Sequence, residues 1–339
     1  MKNNKTSSHS SSEKTVTLAN IIAMLGLCLL GVFTYIGQSY KGTGNIIANI
    51  LLAVWITAFS AFLLWFLIKA KGAENSLEKW RVLEWCTLGV YAIFIVCSLC
   101  GSWGAYHFFS INGNKSDLQR MAREDLAKIE SVYELYCDSC SSAIESTCTN
   151  IAEAIKPGAS YSVEVELFMR NNHIDKLNPV SVSKYEEYIT ESCYTPVKEE
   201  SDKFAGKKNT LEDIVNNWNV IKLAGAGAEI EILADSAKNV MMNCSKFVNV
   251  PKISQEYDEN KRYVMGEAHE DYKEIAKNFK GAKEIKFFAE LKDGSDFSFS
   301  ALILILLIHG LILFNYIVAY RTKTLRPVKG AVVDDAPVL

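Results

Sequence analysis

Hydrophobic and polar positions fall into blocks along this chain. Four apolar runs, residues 17–36, 45–68, 82–109 and 299–320, carry almost no charge. Runs of this length, at 1.5 Å per residue, cover roughly 30 Å, the thickness of a bilayer's hydrocarbon. The pattern predicts four transmembrane helices. Glu84 opens the third run close to Arg81, where the headgroup zone accommodates it. The first run is too long for the apolar region of a signal peptide, and no small-x-small site precedes Gln38–Lys41, so it is read as retained. Residues 1–16 are polar and Ser-rich and read as a disordered tail. Residues 69–81 form a charged link and 321–339 a second tail. Between the third and fourth runs lies one long polar segment, residues 110–297.

That segment has helical periodicity. Leu118, Ala122, Leu126, Ile129, Tyr133, Tyr136, Cys140, Ile144, Cys148, Ile151 and Ile155 recur at steps of three and four, which predicts one long helix over 115–155. Pro157-Gly158 ends it. Val163, Val165 and Leu167 alternate, as in a short strand. A helix follows over 181–204, kinked by Pro196. Residues 206–209 read as a turn, and Thr210 as the cap of another helix whose apolar stripe runs from Leu211 to Phe247. Within it, Gly225 and Gly227 mark a close helix contact or a hinge. A last helix covers 254–279. Four long legs joined at Pro and Gly turns suggest an up-down-up-down bundle. The competing arrangement is a mixed domain in which a small β element at 160–169 pairs with 284–291. The expected class is mainly α: a polytopic membrane protein with four transmembrane helices and a helical bundle between the third and fourth.

Charge adds orientation. Lys and Arg number three in the N-terminal tail, four in the 69–81 link and four in the C-terminal tail, against Lys41 alone in the 37–44 link. The positive-inside rule then places both termini in the cytoplasm and residues 110–297 outside it, with the cell (inner) membrane as the expected location. The large segment carries 24 Lys and Arg against 33 Asp and Glu. An acidic domain repels phosphate backbones, so nucleic acid is excluded as a partner. The expected partners are membrane lipid and either another protein or a second copy of this chain.

Candidate chemistry is sparse. The polar segment holds Cys137, Cys140, Cys148, Cys193 and Cys244, an odd number that rules out complete internal pairing. The Cys137-Asp-Ser-Cys140 spacing lies inside a helical stripe, without the second ligand pair of a zinc ribbon or the strand-to-helix setting of a redox motif. The expected role is packing or a disulfide, with Cys193 and Cys244 bridging to two of Cys137, Cys140 and Cys148. A bridge between Cys137 and Cys140 on one helix is disfavoured by disulfide geometry. Within the spans, Asn49, His309 and Asn315 are polar groups expected to bond between helices. Ser98, Gly101 and Ala105 share one face of the third run and permit close helix approach. No catalytic, cofactor-binding or metal-binding constellation is found.

Four spans, a small first outer loop and a large Cys-bearing loop between spans three and four make a layout similar to that of tetraspanins. The resemblance is topological, and the Cys-Cys-Gly motif of that family is absent. The large segment also looks a little like the helical sensory domains of bacterial membrane receptors, although the tail after Tyr320 is too short for their cytoplasmic signalling region. The expected function is that of a non-catalytic integral membrane protein, a sensor or a scaffold subunit of an envelope complex. The alternative is an oligomeric transporter or channel component.

Overall fold

The computed structural model describes residues 7–42, 45–72, 77–99, 104–255, 262–294 and 298–318. The chain is mostly helical and divides into two compact units. One comprises residues 1–114 and 294–339, the other Lys115–Asp293.

The first unit contains α1 (Ser7–Tyr40), α2 (Ile46–Gly72), α3 (Leu77–Leu99), α4 (Gly104–Gly113) and α12 (Phe299–Val318). Four stretches among the described residues are long and apolar enough to cross a membrane: Thr17–Tyr40, Ile46–Lys71, Lys79–Cys97 and Phe299–Val318. They share a core of Leu30, Ile56, Leu63, Tyr91, Phe94 and Ile305. Their outer faces expose large apolar side chains such as Ile47, Trp85 and Leu307, as a lipid-facing surface does. Two boundaries differ from expectation. The first helix begins at Ser7, because no Pro or Gly separates the polar residues 7–16 from the apolar run. The third run is divided between α3 and α4, with residues 100–103 outside the described set. The C-terminal tail lies outside it as well. At Gly37 and Gly104, α1 and α4 meet backbone to backbone: a Cβ on Gly37 would stand 1.7 Å from the Gly104 carbonyl oxygen.

The second unit is built on α5 (Lys115–Ala154), which matches the long stripe read from the sequence. Its buried side includes Leu126, Ile129, Tyr136, Cys140 and Ile151, each at most 0 % exposed. The rest departs from four equal legs. Residues 163–171 are a helix, α6, and not a strand. Ser162 caps it through Val165 N, Glu164 and Glu166 suit its first turn, and only Val165 and Met169, four apart, are buried. A second leg runs through α7 (Pro179–Ile189), a π-helical turn (Thr190–Tyr194) and α8 (Thr195–Asn216). The expected turn at 206–209 is helical. Val197, Phe204, Leu211 and Val215 keep one buried face across it, and that burial outweighs the roughly 1 kcal/mol cost of Gly206. Thr210 is therefore not a cap.

The break falls instead at 217–222, where Trp218 takes a positive φ of 51°. Its N–H and that of Asn219 close onto the Val215 and Ile214 carbonyls. The third leg, α9 (Leu223–Phe247), follows. Gly227 in it faces Phe288, whose ring would stand 2.5 Å from an added Cβ, so this glycine is a close contact.

The expected helix over 254–279 is also overturned. Its first part is a β-hairpin, β1 (Ile253–Gln255) antiparallel to β2 (Tyr263–Met265), with Ile253 opposite Met265. Among the described residues of that range, only α10 (Asp271–Asn278) is helical. The β-branched Ile253 and Val264 suit a ladder. Tyr161 bridges to Tyr263, so residues near 160 do join a small β element. Their partner is 263, and residues 287–293 form α11.

Candidate functional site

The second unit has two contrasting ends. At the Lys115 end of α5, polar groups are matched with care. Gln119 Nε2 donates to the Val215 carbonyl at 2.8 Å and to the Asn216 carbonyl at 2.9 Å, closing the end of α8. Asp125, 5 % exposed, accepts from Lys286 N at 2.9 Å and Phe287 N at 2.8 Å, the first amides of α11. Burial pushes this carboxyl above its ordinary range, against the opposing pull of those amides and of Lys128.

At the other end, a groove of about 410 Å³ opens between α6, α7, the strand-like stretch 248–251 and the end of β2. Phe168, Tyr185, Tyr188, Phe247 and Met265 line it, with Asn172 and Asn249 as polar groups. Phe168 and Tyr185 meet edge to face, ring centroids 5.5 Å apart. The inner wall is held from behind. Thr147 Oγ1 donates to the Pro251 carbonyl at 2.7 Å, and Asn150 Nδ2 to the Ile253 carbonyl at 2.5 Å. Tyr272 OH donates to the Val248 carbonyl at 3.1 Å and accepts from Val250 N at 3.2 Å. Yet two aromatic rings at the rim are left in water: Phe247 is 79 % exposed and Tyr188 62 %. Two exposed rings lining one concavity differ from the scattered exposed Leu of an ordinary surface. The sequence placed Phe247 on a buried stripe. The helix ends at that residue, whose ring is exposed among the described residues.

The cysteines sit between these ends. Cys137, Cys140, Cys148, Cys193 and Cys244 are all buried and unbridged. Cys140 of α5 and Cys193 of the π-helical turn meet with their sulfurs 3.3 Å apart. Tyr136 OH stands 3.4 Å from Cys193 Sγ and 3.1 Å from Ser245 Oγ. Pro196 accounts for the turn: it lacks the N–H that would bond Ser192, and the Thr195 N–H reaches back to the Thr190 carbonyl instead. Burial pushes the thiols of Cys137 and Cys244 up to about 11 and that of Cys148 up to about 12. The hydrogen bond from Cys140 raises Cys140 and lowers Cys193. No group of three or more His, Cys, Asp or Glu among the described residues is arranged to hold a metal.

Some polar groups of the spans bond between helices, while Thr57, Ser60 and Thr87 bond to carbonyls of their own helix. His309, 1 % exposed, pairs through Nδ1 with Tyr91 OH at 3.1 Å and stacks edge to face on Tyr91 and Phe94. Asn315 Nδ2 donates to Asn20 Oδ1. Tyr316 OH donates to Glu84 Oε1 at 2.6 Å, and Lys71 Nζ to the Tyr316 carbonyl at 2.6 Å. Asn49 is 6 % exposed. Ala105 is buried in α4, next to Gly104, which makes the closest approach. Ser98 belongs to α3, and Gly101 lies outside the described residues.

Comparison with protein-family models, with curated proteins and with solved structures finds no match to this chain.

Proposed function

We propose that this chain is a non-catalytic integral membrane protein of the cell membrane that recruits a protein partner through the groove of its Lys115–Asp293 unit. The charge distribution supports placing both termini in the cytoplasm and that unit on the opposite side. The observation that carries the recruiting role is the pair of solvent-exposed rings, Phe247 and Tyr188, at the rim of a concavity whose wall is rigidly bonded. Rigid aromatic anchors on a fixed frame lose little entropy on binding. Asn172 and Asn249 are polar groups in the groove's lining, with Asn172 Nδ2 held by the Phe168 carbonyl and Asn249 Oδ1 by Lys273. The alternative, a transporter component, draws on Asn45, Asn49, His309 and Asn315. The bonds of His309 to Tyr91 and of Asn315 to Asn20 support helix packing for two of them.

A photo-crosslinking residue at position 247 or 188 of the full chain, in its native membrane, tests this reading. A discrete protein adduct at both positions, and not at the exposed Ile232 of α9, is expected. An adduct of twice the chain's mass identifies the partner as a second copy. No adduct at either position, or the same smear at all three, overturns the recruiting role.

A further inference from the structure

Five cysteines are buried in the Lys115–Asp293 unit, and packing accounts for Cys137, Cys148 and Cys244. Cys140 and Cys193 are different. They come from separate elements, both are 0 % exposed, and their sulfurs are 3.3 Å apart. Among the described residues this is the cysteine pair in sulfur–sulfur contact. Cys193 reaches that position because the π-helical turn ahead of Pro196 adds one residue to the helix there and rotates the side chain toward α5. The remaining separation from a bonded distance of about 2.05 Å is within reach of small side-chain rotations.

We propose that Cys140 and Cys193 are a modification site, oxidised to a disulfide that ties the π-helical turn to α5. The proposal rests on the placement of this unit outside the cytoplasm, where disulfides persist. The electron acceptor is a disulfide, either of a thiol oxidoreductase or of a small molecule. The Cys193 thiolate attacks one sulfur of that disulfide and expels the other as a thiolate, giving a mixed disulfide. Cys140, having given its proton to solvent, attacks the Cys193 sulfur and expels the second thiolate. One S–S bond is made and one broken, two electrons pass to the acceptor, and it leaves as two thiols. The two thiols are interchangeable in this sequence of steps, because the hydrogen bond from Cys140 to Cys193 forms only in the folded unit. Because both sulfurs are buried in the folded unit, the exchange belongs to the stage before α7 and α8 close on α5. Cys137, Cys148 and Cys244 stay as thiols, which fits the odd count.

The test uses the full chain, isolated from membranes without reductant after trapping free thiols with N-ethylmaleimide in denaturant. Digestion and mass spectrometry are expected to find the Cys140 and Cys193 peptides joined, two hydrogens lighter than their sum, with maleimide on Cys137, Cys148 and Cys244. Reductant is expected to lower the thermal midpoint of the natural chain and to leave that of Cys193→Ser unchanged. Protease accessibility in sealed, right-side-out vesicles reports separately on which side the unit lies. Maleimide on both Cys140 and Cys193 of an externally placed unit overturns the cross-link and leaves the topology standing. Maleimide on both with the unit inside overturns the two together. A different cysteine pair joined overturns the assignment.

Discussion

Removing the Asp125 carboxylate tests how the Lys115 end of the large unit is held. Asp125→Ala leaves the amides of Lys286 and Phe287 without their acceptor, and the second of these is buried. An orphaned buried donor costs about 1–3 kcal/mol. The charge removed was itself penalised by burial, which offsets part of that. A net loss of about 2 kcal/mol is expected, close to thirtyfold in an opening equilibrium. Asp125→Asn keeps an acceptor oxygen and discards the charge, so its loss is expected to be under about 1 kcal/mol. The pH response follows from the raised carboxyl. A group that binds its proton more tightly when folded adds stability that is full below its unfolded value and fades as pH rises through the folded one. The natural chain is therefore expected to gain protection of the α11 amides on acidification from neutrality toward the raised value, and Asp125→Asn to lose that gain. Hydrogen exchange read by mass spectrometry on peptides spanning 284–293 measures both effects. Equal losses for Ala and Asn, or the same acid response in Asp125→Asn, would refute the role assigned to the charge.

Two further substitutions probe the frame. Gly206→Ala, on an exposed stretch of α8 with nothing within 4 Å of the added Cβ, is expected to stabilise the unit by about 1 kcal/mol, seen as slower exchange across 200–215. Gly37→Val forces α1 and α4 apart and is expected to cost about 1–3 kcal/mol in the thermal stability of the detergent-solubilised chain. The matched control is Gly89→Ala on α3, where the Cβ meets nothing within 4 Å and the midpoint should not fall.

The spans and α5 were legible because each is long and periodic, so that many residues report the same element. The second and third legs were legible as helices but not at their boundary. Gly206 looked like punctuation, yet Phe204 and Leu211 on either side are buried on one face and carry the helix through. The true break at Trp218 has no Gly or Pro to announce it. Val163, Val165 and Leu167 alternate as a strand would, but Ser162 and the acids behind it make a helix start, and that signal was outweighed by the alternation. The hairpin around 253–265 was hidden because Tyr257, Lys261, Val264 and Ala268 happen to fall at helical spacing. The groove was least legible of all. Phe247 and Tyr188 continue helical stripes in the sequence, and only the ends of α9 and α7 show that both rings are exposed among the described residues.

One element links the ends. Along its length α5 holds α8 through Gln119, α11 through Asp125, the π-helical turn through Cys140, and the groove's inner wall through Thr147 and Asn150. Each attachment is to a different element, so α5 ties several parts of the unit to one frame, while α9 packs against α8 and α10 as well. A disulfide at Cys140 therefore acts in the middle of this series. It fixes the leg that carries Tyr188 to the same helix that fixes the stretch following Phe247. The two exposed rings then keep a constant separation across the groove, which is the condition for one apolar segment to engage both at once.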